Sequence, residues 1–146
     1  MMDIQEILNI KPQLKRNKLY NKPLEEFIYK FIEELGLPVD FTLDLRGYSQ
    51  TLYGCYMREE KRVVVYVLNK DRKTYVDLEE ILSTSIHEVI HHFQYVHDKA
   101  FTRKYGVMHD PSFLKLEKKL LEKLDYYMKE LETNGKSNHT KQQHVI

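Results

Sequence analysis

The apolar residues of this chain change their period twice, and that change limits the possible fold more than any other feature. Leu24, Phe27, Ile28, Phe31, Ile32 and Leu35 recur at the spacing of one helix face. From Val39 the period falls to two: Val39, Phe41, Leu43 and Leu45 alternate with polar residues, as on a half-buried strand. Two further strands are predicted over Thr51 to Arg58 and Arg62 to Leu68, the second carrying the β-branched run Val63, Val64 and Val65. A charged turn at Glu59 and Glu60 should make them an antiparallel hairpin. The helical period then returns. One helix is expected from Asp77 through Ile81, Ile86, Val89 and Ile90 to about Val96. Another starts at Asp110 and Pro111, with Phe113, Leu116, Leu120, Leu124, Tyr127 and Leu131 on its apolar face. This order predicts an α+β domain in which a small antiparallel sheet packs on helices.

Local signals sharpen the boundaries. Asn21 and Pro23 open the helix that bears Leu24, and Gly36 with Pro38 stops it. Asp3 to Ile10 can form one short helix ahead of Pro12. Lys11 to Lys22 holds five basic residues and reads as a solvated linker or frayed helix, or alternatively as a local phosphate-binding patch. Residues 1–132 are expected to form one domain. Residues 133–146 form a polar tail without an apolar face, expected to be disordered, and its His139 and His144 are expected to be solvated.

Composition excludes several functions. A formal net charge of +1 gives no global field to recruit nucleic acid or an anionic membrane. No apolar run approaches a bilayer span, and the N-terminal MMDIQEIL lacks the pattern of a signal peptide. Cys55 is the single cysteine, so neither an internal disulfide nor a cysteine-based zinc site can form. A cytoplasmic location is expected.

The segment that carries chemistry is His87-Glu88-Val89-Ile90-His91, which fits H-E-x-x-H. On a helix His87 and His91 lie on one face, about one turn apart. Their imidazoles can therefore reach one zinc ion, at nitrogen–metal distances of about 2.0–2.1 Å. Glu88 projects toward the same region. It suits the general base that takes a proton from the water on the metal, and afterwards delivers it to the leaving amine.

A catalytic zinc site needs a third protein ligand and one open position. His92, His97, His109, Asp110 and Glu117 are available. His92 lies about 100° around the helix from His91 and should point elsewhere. His97 falls where metzincins place their third histidine, but Gln94 occupies the position of the glycine that turns the chain there. On a continuous helix His97 faces away from the ion. His109 precedes a new helix and can be returned by the intervening loop. It is the preferred third ligand, and Glu117 is the next choice after His97. Gln94 reads as a polar residue of the helix face. Tyr105 is a possible oxyanion donor, with a loop packing role as the alternative. Arg103 and Lys104 are weaker candidates.

The H-E-x-x-H segment, followed by His109-Asp110-Pro111-Ser112-Phe113, resembles the SprT-like (Spartan-related) zinc metallopeptidase family. Its members carry a further histidine within H-G-x-x-F. Asp110 stands here in place of the glycine, and suits a helix N-cap. Tyr53-Gly54-Cys55-Tyr56 and Val65-Tyr66-Val67-Leu68-Asn69 resemble the family's preceding hairpin. The resemblance spans about Leu45 to Leu121. It implies a zincin-like minimal metalloprotease domain with one zinc ion, an H-E-x-x-H helix under a small sheet, and a third histidine from the next helix. It implies a protein or peptide substrate paired to an edge strand, and, by family likeness alone, possible association with DNA. The alternatives are a zinc-stabilised binding module, a DNA-associated accessory protein without proteolytic activity, or metal-dependent hydrolysis of a different bond.

Overall fold

The structure, a computed structural model, describes residues 3–97 and 109–145, with side chains as far as Thr133. Helix α1 spans Ile4–Leu8, and Asp3 caps it by accepting from the Glu6 amide at 2.9 Å. Helix α2 spans Lys22–Glu34. Asn21 caps it by accepting from the Leu24 amide at 3.1 Å, with Pro23 in the first turn. Thirteen residues make a marginal helix in isolation. Burial of Leu24, Ile28, Phe31 and Ile32 holds α2 in place, each contributing about 1.5–3 kcal/mol before entropy.

Lys11 to Lys22 is not the expected solvated linker or frayed helix. It contains two short strands, β1 (Leu14–Lys15) and β2 (Lys18–Leu19), paired antiparallel across Arg16 and Asn17. Both turn residues have positive φ, 51° and 65°, the geometry of a two-residue type I′ hairpin. Asn17 is fastened there by Tyr48: its Nδ2 donates to the Tyr48 carbonyl at 2.9 Å, and its Oδ1 accepts from the Tyr48 amide at 3.1 Å. Leu19 is completely buried, an apolar anchor hidden within a basic stretch.

Strands β3 (Thr42–Arg46), β4 (Gly54–Met57) and β5 (Arg62–Tyr66) complete a five-stranded sheet in the order β1-β2-β3-β5-β4. The β4–β5 hairpin is antiparallel, as expected. The sheet as a whole is mixed, which corrects the expected antiparallel sheet: β3 and β5 run parallel, with Leu43 opposite Val63 and Leu45 opposite Val65. These four residues are buried in the core. Their neighbours Asp44 and Val64 alternate to the other face, as the period of two at Leu43 and Leu45 requires. The Asp44 carboxylate is buried but meets Arg46 at 3.0 Å, Lys18 at 3.1 Å and Arg62 at 3.5 Å.

Helix α3 (Leu78–Val96) follows Asp77 and buries Ile81, Leu82, Ile86, Val89 and Ile90. Helix α4 has helical backbone over Pro111–Val145, beyond Thr133 where the polar tail was expected to begin. Its Phe113, Leu120 and Leu124 join the core. Among the described residues, no helix is long and apolar enough to cross a membrane.

Candidate metal centre

His87 and His91 project from one face of α3, and His109 meets them from just before α4. The Nε2 atom of His109 lies 3.1 Å from Nε2 of His87 and 3.2 Å from Nε2 of His91. A tetrahedral zinc ion with bonds of about 2.0–2.1 Å separates its ligand atoms by roughly 3.3 Å. Both separations lie within a few tenths of an ångström of that spacing, and all three donor atoms fall within 4.8 Å of one another. Burial, with lesser contributions from the charges of His87 and His109, pushes the His91 pKa down to about 4. His91 is thus neutral near pH 7, the form that ligates a metal.

Each ligand is held by its own element. His87 Nδ1 lies 2.6 Å from Glu117 Oε2 on α4. That contact leaves His87 Nε2 available to an ion, with Glu117 in the place of a carboxylate that orients a candidate ligand. His109 is placed by the start of α4. Asp110 accepts from the Phe113 amide at 2.8 Å, the role of an N-cap. Gln94, buried on α3, donates to Asp110 Oδ1 at 3.2 Å and to Ser112 Oγ at 2.9 Å. Gln94 is therefore an interhelical tie as well as a helix-face residue. Phe113 closes the apolar side, with ring centroids 5.0, 4.6 and 4.8 Å from those of His87, His91 and His109.

Glu88 is only 7% exposed. Burial pushes its carboxyl up to about 7, against the opposing charge of His87 and with a smaller upward push from Glu117. A base poised there suits proton transfer near neutral pH. Beside it runs a cleft of about 480 Å³, within the usual size range for ligand clefts. Tyr53 and Gly54 where β4 begins, Thr84, His87 and Glu88 on α3, and Glu117 on α4 are among the residues that line it. Gly54 permits this close approach. A Cβ there would stand 2.7 Å from Thr84 Cγ2, 2.7 Å from the Val64 carbonyl oxygen and 3.3 Å from Glu88 Cγ.

His92 and His97 stay out of this centre. His92 is fully buried, not a surface residue, and its Nε2 meets Asp40. His97, the C-cap of α3, meets the same carboxylate. Tyr105, Arg103 and Lys104 lie outside the described residues. Sequence reasoning missed the orienting role of Glu117 and the close approach at Gly54. The signal for Glu117 was present: it falls one turn beyond Phe113 on α4, facing α3. Comparisons with models of protein families, with curated proteins and with solved structures find no match to this chain.

Proposed function

We propose that this chain is a zinc-dependent metallopeptidase of the SprT-like kind, with His87, His91 and His109 as ligands and Glu88 as general base. The observation that carries this reading is the convergence of three Nε2 atoms on adjoining elements, with His87 and the buried Glu88 carboxylate lining an open cleft. Zinc held there would supply Lewis-acid polarisation of the scissile carbonyl and acidify water. Glu88 takes the proton of the attacking water and returns it to the leaving amine nitrogen, so the carboxylate ends as it began. Glu117 keeps the His87 ring from turning. β4 is the terminal strand of the sheet, and the residues leading into it line the cleft. An extended peptide added along that edge would bring a backbone carbonyl over Glu88.

The test uses the purified chain, stripped of metal and reloaded with one equivalent of zinc, on a denatured protein substrate. Cleavage that disappears on chelation and returns with zinc is expected. A zinc-loaded chain that leaves a panel of denatured proteins and unstructured peptides intact would overturn the reading.

A further inference from the structure

A second convergence of donors lies at the other side of α3. Asp40, in the loop between α2 and β3, presents its two carboxylate oxygens to two histidines: Oδ1 lies 2.8 Å from His92 Nε2, and Oδ2 lies 2.8 Å from His97 Nε2. One ligand atom from each of the three residues falls within 4.8 Å of the others. We propose that Asp40, His92 and His97 form a second divalent metal site, of zinc-type chemistry, which clasps the C-terminal end of α3 to the loop ahead of β3.

Three features favour an ion over a plain hydrogen-bonded cluster. His92 is fully buried, and its remaining nitrogen, Nδ1, is engaged by Tyr56 Oη at 2.8 Å. A metal-bound histidine has its second ring nitrogen held in this way, with Nδ1–H donating and Nε2 bare. His97 brings a second imidazole to the other oxygen of the same carboxylate. Two imidazoles and one carboxylate make a zinc donor set with one position left for water. The hydrogen-bond spacing must open by about half an ångström to admit an ion. The two residues that must move have exposed side chains, Asp40 at 48% and His97 at 33%, whereas His92 stays fixed in the core.

This site shares no ligand with the first. His91 and His92 are adjacent but about 100° apart around the helix, so the two sites open in different directions. The proposal stands whether or not the chain is a peptidase.

The experiment counts zinc per chain after equilibration with micromolar zinc, in the wild type and in His97→Ala, Asp40→Asn, His109→Ala and the double variant His109→Ala/His97→Ala. His92 is left intact because its loss would disturb the core. Two ions are expected in the wild type, one in each single variant and none in the double. A second readout guards against ions held elsewhere on the chain. Cobalt(II) bound to His109→Ala should give a visible absorption band, and zinc should raise that variant's melting temperature. Both effects should vanish in the double variant. The proposal is overturned if the wild type binds no ion, if His97→Ala and Asp40→Asn keep the wild-type count, or if the band and the thermal shift survive in the double variant. If His109→Ala also keeps the wild-type count, the peptidase reading fails, while the Asp40 site is still judged by its own variants.

Discussion

Glu117 on α4 holds His87 on α3 through a 2.6 Å contact between Oε2 and Nδ1, so one helix orients a candidate metal ligand carried by another. With Nδ1–H donating to the carboxylate, the lone pair on Nε2 points to the other two histidines. Glu117→Ala frees the ring to rotate and weakens the imidazole as a donor. Zinc affinity at this centre should fall about 10–100-fold, with little change in the melting temperature of the metal-free chain. Chelator competition measures this, and an unchanged affinity would remove Glu117 from the site.

Glu88→Gln preserves the size of the side chain and removes its basicity. Zinc content should stay at the wild-type value, because Glu88 is not one of the converging ligands. Turnover of peptide should drop by about 10²–10⁴-fold, the usual contribution of a general base. Undiminished turnover in this variant would exclude Glu88 from proton transfer.

Gly54→Ala places a methyl against Thr84 and against the backbone oxygen of Val64. The Val64 backbone on β5 cannot yield as a side-chain tip can, so β4 must shift against both β5 and α3. A loss of about 1–3 kcal/mol is expected, the usual cost of overpacking. Adding Thr84→Ser removes one of the two clashing atoms and should restore part of the loss. Denaturant melts of the single and double variants decide the point: no difference between Gly54→Ala and wild type would mean that the strand is not pressed on the helix.

The buried carboxylate of Asp44 predicts acid sensitivity. Burial pushes its pKa up, but hydrogen bonds from Arg46 and Lys18 and their charges outweigh burial, leaving the carboxyl below the ordinary range. A group whose folded pKa is lowered contributes stability that is complete above its unfolded value, about 4. That contribution is lost as the pH falls through the lower folded value. Asp44→Asn should therefore be less stable than wild type at neutral pH by about 1–3 kcal/mol. The two should converge below about pH 4. A constant difference across this range would show that charge is not what Asp44 contributes.

What could be read from the sequence was whatever depends on near neighbours. The α2 stripe, the Asn21 cap, the β4–β5 hairpin and the i,i+4 spacing of His87 and His91 are all local, and they stand in the structure as expected. His109 was reached by asking which histidine a continuous helix would not carry away, and its ring does meet the other two. Partnerships between distant segments were not legible. Nothing in β3 or β5 states that they run parallel, because a buried valine run suits either direction. Leu19 was masked by its basic neighbours. Asp40 sits in a turn whose sequence explains itself as a helix exit, so its engagement with His92 and His97 left no periodic mark.

The parallel pairing of β3 with β5 also sets an order of assembly. Paired residues in that ladder, Thr42 with Arg62 for example, are about twenty positions apart, while β4 and β5 close on a short turn. Loop closure penalises the longer connection, so the hairpin can form early and β3 must wait for it. The expected kinetic signature is uneven. Val64→Ala, within the hairpin, should slow refolding, whereas Leu43→Ala, in the late strand, should mainly speed unfolding. The three converging histidines come from α3 and from the segment just before α4, so on the proposed reading an ion can be gripped only after both have docked. On that reading, metal capture follows the docking of α3 against the segment that leads into α4.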